Sequence, residues 1–240
     1  MRDRPFLLSG ILGIGAILLT LALTVVGPRA AGALPAGFLT PVLAFEFAAD
    51  AQEVEQIFGP PGEGREVAMA SMDRVNRLDF VYIGLYGLTL FTFALTIARM
   101  TGRWYFYAAA VLALVVMAAD VMENVQLLGI TRSLGVASIE ETLERLSFWT
   151  LVKWRGLALA LLLLVPYFRR EPGSASRFGR GLAWVLALPA VLAALSAISR
   201  GILTELFALS IGLAFLLLTI YAWRASPHPV GDSGADPSFA

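Results

Sequence analysis

An all-α, polytopic transmembrane bundle of about six helices is the fold class this sequence predicts, with both termini cytoplasmic and an amphipathic extracytoplasmic helix between the first two spans. Three observations carry that expectation. Hydrophobic residues make up 58% of the 240 residues and charged residues only 15%, against about 25% charged in a soluble domain. Several apolar runs reach about 20 residues, enough to cross the hydrocarbon core of a bilayer. Arginines gather at alternate span ends, as the positive-inside rule requires of cytoplasmic loops.

The composition also closes off several chemistries. There is no cysteine, so thiol catalysis, disulfides and cysteine-held metals or clusters are excluded. The single histidine, His228, stands in a Pro/Gly/Ser-rich tail, which leaves no histidine in the spans for haem, zinc or a catalytic triad. The net charge is zero, so no basic surface recommends nucleic acid as a partner. No cofactor is expected. Lys153 is the only lysine among 18 basic residues, which fits a GC-rich bacterial genome and, with the spans, a bacterial inner (cytoplasmic) membrane protein.

The chain reads as one transmembrane domain, residues 1–224, and a disordered cytoplasmic tail, 225–240. Met1–Arg4 is a basic head. The first span, 5–26, has an apolar core of about 22 residues, longer than the roughly 7–15 of a signal peptide, so it is read as retained despite the small residues Ala30–Ala33 that follow. Ser9, Gly10, Gly13 and Gly15 are small enough to admit a close helix neighbour. The connection from Gly27 to Asn76 includes a helical insertion, 40–76. There Thr40-Pro41 reads as an N-cap and first helical residue, opening a helix to Phe58 with Leu43, Phe47, Val54 and Phe58 on its apolar face. Glu46, Asp50 and Glu53 form an acidic stripe beside that face, read as solvated. Gly59-Pro60-Pro61-Gly62 breaks the chain, and a helix from Glu63 continues into the second span, 78–98.

On that span Asn76, Asp79, Tyr82 and Tyr86 share one face by their steps of three and four. The third span, 104–130, contains Asp120, Glu123 and Asn124, again on one face. A loop, 131–147, places Glu140, Glu141 and Glu144 on a short surface helix. The fourth span, 149–168, contains Lys153 and Arg155. The fifth, 181–199, has Pro189 at a kink site, and the sixth, 202–223, starts near Glu205.

The head, Arg99 and Arg103, the 169–180 loop and Arg224 all fall on one side if six helices alternate. Asp120 then lies roughly 24 Å along a core of about 30 Å, near the outer boundary, and Lys153 roughly 6 Å below it. Asp79 and Glu205 also stand near outer ends. Ionisable groups within spans are functional candidates by default. The sequence therefore points to an outward-facing polar pocket of Asp79, Tyr86, Asp120, Glu123, Asn124, Lys153, Arg155 and Glu205. Lys153 is expected to pair with Asp120 or Glu123, and Arg155, about 200° round the helix, faces elsewhere or meets Glu205.

Three roles fit such a layer. The favoured one is binding of a small polar or amphiphilic, lipid-like ligand, a basic side chain holding its anionic group. The second is an intramembrane enzyme with Asp120 and Glu123 as acid and base; a divalent ion held by Asp79, Asp120 and Glu123 is a weaker form of it. The third is a purely structural ion-pair layer in a complex subunit. The expected partners are the bilayer and that ligand; a homo-oligomer is compatible. The stretch Asp79-Phe80-Val81-Tyr82-Ile83-Gly84-Leu85-Tyr86-Gly87, followed by Asp120-x-x-Glu123-Asn124 and Lys153-Trp154, resembles a group of small bacterial polytopic proteins of uncharacterised function. The resemblance covers roughly residues 40 to 165. It implies an integral membrane protein with these polar positions in common, and implies no activity.

Overall fold

The computed structural model describes residues 5–28, 30–171, 174 and 176–225. The Met1–Arg4 head, Arg29, residues 172, 173 and 175 of the basic loop, and the tail with His228 lie outside the described residues. The described residues form eight helices and no strand. Six are long and apolar enough to cross a membrane: α1 (Leu7–Val26), α4 (Glu63–Thr101), α5 (Trp104–Ser133), α6 (Glu140–Arg170), α7 (Arg177–Ser196) and α8 (Ile202–Ala225). The chain is a multi-pass membrane protein. Exposed Leu18, Val111, Leu159, Trp184 and Leu209 coat the outside of the bundle as a lipid-facing surface should be coated.

Neighbouring spans pack in chain order, and α1 closes the bundle against α4 and α8. The small residues of α1 are the reason it can do so. Gly13 lies so close to the Thr219 side chain that a Cβ would collide with it. Gly10 accepts a hydrogen bond from the Trp223 indole at 3.2 Å, and Ser9 bonds Thr92 across to α4 at 2.9 Å.

Three helices outgrow the bilayer. At 1.5 Å per residue, α4 is about 58 Å long and α5 and α6 about 45 Å each, against a hydrocarbon core of about 30 Å. The excess lies at one end, where α2 (Pro41–Glu46) and α3 (Ala51–Phe58) sit across it. A second hydrophobic core fills the space between. Phe45, Val54, Ile57 and Phe58 of the insertion meet Met72 of α4, Leu127 and Ile130 of α5, and Leu143 and Leu146 of α6. We call this the capped end.

The structure alters three sequence expectations. The 40–58 helix is two helices, because Asp50 accepts from Glu53 N at 2.9 Å while the Glu53 carboxylate accepts from Ala49 N at 2.8 Å. The Asp50 side-chain cap, with Glu53 reaching back to the residue before it, starts a new helix at Ala51. Thr40 precedes Pro41 at the start of α2 but makes no side-chain cap; its hydroxyl donates to Glu205 instead, at 2.9 Å. Glu140, Glu141 and Glu144 belong to the first turns of α6 itself rather than to a separate surface helix.

Candidate functional site

Lys153 is the centre of a buried ionic cluster beneath the cap. Two glycines let its helices approach. Gly87 follows Tyr86 on α4 and presses on Met117 of α5, where a Cβ would overlap the Met117 side chain. Gly156, one turn beyond Lys153 on α6, would place a Cβ 2.7 Å from Val116 Cγ2. With α4, α5 and α6 drawn together, their polar faces meet.

The Lys153 ammonium donates to Glu123 Oε1 at 2.7 Å and to Glu46 Oε2 at 3.2 Å. Asp120 Oδ1 lies 3.2 Å away in ion-pair contact, off the direction of a hydrogen bond, since that oxygen has no hydrogen-bond partner. The other Asp120 oxygen accepts from the Tyr86 hydroxyl at 2.5 Å. Glu46 also accepts from the Trp154 indole at 3.0 Å, and its backbone carbonyl accepts from Thr150 at 3.3 Å. Lys153, Asp120 and Glu123 are 6%, 3% and 0% exposed, so water does not screen this cluster. Beside it, Asn124 donates to half-buried Asp79 at 2.7 Å.

Of the residues singled out from sequence, Tyr86, Asp120, Glu123 and Lys153 come together, and Asp79 and Asn124 form the adjoining pair. Arg155 and Glu205 do not join them. Arg155 is exposed on α6, as its angle from Lys153 requires. Glu205 accepts from the backbone N–H groups of Leu39 and Thr40, both at 2.9 Å, and so ties the start of α8 to the insertion. Asp79, Asp120 and Glu123 do not converge on a metal-holding geometry.

The solvated-stripe reading of Glu46, Asp50 and Glu53 is overturned at Glu46, which is buried in the Lys153 cluster. Asp50 is exposed, as expected, and caps α3, and the partly exposed Glu53 meets Arg200 in a two-pronged pair at 2.7 and 3.0 Å. The Arg200 guanidinium holds the Glu53 carboxyl below its ordinary value of 4.5. Sequence reasoning passed over Thr150 and Arg200 and gave Trp154 no role. The spacing Asp50-x-x-Glu53 was the available signal for the helix break, and that break is what turns Glu46 inward.

The pocket expected at Asp120 is closed by these contacts. An open cleft of about 380 Å³ lies instead on the other side of Glu46 and Trp154, between the insertion and the ends of α6, α7 and α8. Glu46, Thr150 and Trp154 form one wall, and Arg155, Arg200 and Phe207 contribute to the rest. Trp154 is held between Phe47 and Phe207, at centroid distances of 5.9 and 5.6 Å. Arg200 is occupied by Glu53 and by the Phe47 carbonyl. Arg155 has no carboxylate partner among the described residues. No protein-family model, curated protein or solved structure matches this chain.

Proposed function

We propose that this protein binds a single anionic amphiphile, a lipid-like molecule with a carboxylate or phosphate head, in the cleft beneath the insertion. The observation that carries the reading is Arg155: a guanidinium in an open cleft with no ion-pair partner among the described residues. Guanidinium is shaped to hold carboxylate or phosphate through paired hydrogen bonds. Trp154, Leu151 and Phe207 provide apolar surface beside it, suited to the first part of an acyl chain. The cleft lies where α7 ends and α8 begins, a place a lipid reaches from its own leaflet without crossing the bundle.

The same reading places the capped end outside a bacterial inner membrane and both termini in the cytoplasm. Support comes from charge distribution. Three arginines of the capped end are paired with acids, Arg77 with Asp73, Arg145 with Glu141 and Arg200 with Glu53. At the other end, Arg99, Arg103, Arg169, Arg170 and Arg224 have only Glu171 nearby in the chain, and it pairs with Arg103 at 2.9 Å. Binding is favoured over acid–base catalysis because the Asp120 and Glu123 oxygens face Lys153 and Tyr86, not the cleft.

Native mass spectrometry of the protein released from nanodiscs of mixed phosphatidylglycerol and phosphatidylcholine tests the proposal. The wild-type protein should retain one phosphatidylglycerol, and Arg155→Gln should retain it about 10- to 100-fold less, the worth of a charge-assisted hydrogen bond. Equal retention by both proteins, or no preference for the anionic lipid, overturns the reading.

A further inference from the structure

The cluster around Lys153 has more negative charge than one lysine can balance. Glu46 of α2, and Asp120 and Glu123 of α5, all reach the same ammonium. The other groups around it are Asp79, Tyr82 and Tyr86 from α4 and Asn124 from α5; α6 adds Thr150 and the Trp154 indole, both of which donate to Glu46. From α7 and α8 no cation arrives: Arg200, between them, is bound to Glu53, and Glu205 is turned to Thr40. Arg155 is on the exposed side of α6. Three carboxylates against one ammonium leave an excess of negative charge, and two of the three, Asp120 and Glu123, are almost fully buried. Burial of unpaired charge is costly enough that a group neutralises instead.

Two atoms show where the neutralisation falls. Asp120 Oδ1 and Glu123 Oε2 are buried carboxylate oxygens with no hydrogen-bond partner. They belong to side chains three residues apart on one face of α5, both in contact with Lys153. Buried oxygens without a donor are rare in folded proteins and call for an occupant. Among the described residues no group of acids has metal-holding geometry, and a proton needs none.

We infer that the Asp120–Glu123 pair is a proton-binding site, carrying one exchangeable proton. On uptake, one O–H bond forms on a carboxylate oxygen and the cluster loses one negative charge; on release, the proton returns to water and nothing else breaks. Glu46 couples the site to the cap. It is the one carboxylate of the cluster delivered by the insertion, so protonation of the α5 pair lowers the repulsion Glu46 meets as α2 seats. By linkage, the proton and the seated cap favour each other. The site shares no ligand-binding side chain with Arg155, so lipid binding and proton binding can fail separately.

Infrared difference spectroscopy on the whole protein in proteoliposomes tests this, in H2O and D2O, as the pH is raised from neutral to alkaline. The wild-type protein should show a protonated-carboxyl C=O band at neutral pH that shifts in D2O and disappears at alkaline pH. The band should be lost in Asp120→Asn or Glu123→Gln and kept in Asp79→Asn. Three outcomes overturn the proposal: no such band in the wild-type protein, a band lost only in Asp79→Asn, or sodium-dependent thermal stabilisation without a band. Absence of the band in the wild-type protein overturns the proposal even if a variant does not fold, and a band kept in Asp79→Asn excludes that residue as its source.

Discussion

The two ends of this bundle are closed by different chemistry. At the end opposite the cap, Phe6, Phe93, Phe106, Tyr167, Phe168 and Tyr221 interlock, with centroid distances such as 4.8 Å for Phe6–Phe93 and 4.9 Å for Phe168–Tyr221. The polar atoms there need little: the Tyr167 and Tyr221 hydroxyls bond each other at 3.2 Å. At the capped end, the core has at its centre a lysine and three carboxylates, roofed by an insertion with its own hydrophobic core. Aromatic rings pack wherever shape allows and lose contacts one at a time. An ionic cluster in a dry interior depends on every partner, because removal of one leaves the others charged and unpaired. The roof belongs to that chemistry: without α2, Glu46 leaves and water reaches Lys153.

That contrast sets the order of expected losses. Lys153→Met should be the most damaging substitution, costing about 3–5 kcal/mol as three acids are left without their cation. Thermal unfolding in nanodiscs should show the loss to be greatest at alkaline pH and smaller in mild acid, where carboxyls can take up protons. A pH-independent loss would reduce the cluster to ordinary packing. Phe93→Ala should cost about 2–3 kcal/mol, the cavity share of a large-to-small change, because lipid is as apolar as the site the ring leaves. Its loss should not vary with pH; a pH-dependent loss at the aromatic end would break the contrast.

Glu53→Gln should be mildest, at most about 1 kcal/mol, since the pair with Arg200 is partly exposed and screened. Its sign with pH is fixed. The folded value lies below the ordinary 4.5, so the contribution is present above that value and is lost as the pH falls through the lower folded one. Wild-type stability should therefore approach that of Glu53→Gln only in acid. The difference in unfolding temperature between the two proteins, followed from neutral pH downward, checks this.

Much of the bundle was legible in the sequence because the bilayer imposes a simple rule: runs of about 20 apolar residues must be helical. Pro5–Val26 and Ile202–Trp223 gave themselves away by length alone. Asp120, Glu123, Asn124 and Lys153 were conspicuous for the opposite reason, as polar groups in oily runs. Glu46 was not conspicuous, because an acid in a polar connection has no composition contrast to expose it. Arg155 and Glu205 were conspicuous, yet they lie outside the cluster. Their depth could be counted along a helix, but the rotation of each helix against its neighbours could not.

The sequence by itself determined the class and the number of spans, since these follow from apolar run length. Tertiary structure alone decided which carboxylates meet Lys153, that α2 turns Glu46 inward, and that the open cleft lies at Arg155 rather than at Asp120. Those outcomes depend on where Gly87 and Gly156 allow helices to touch and on the Asp50 cap that divides the insertion. Both act through contacts between segments far apart in the chain, and spacing along one segment does not encode them.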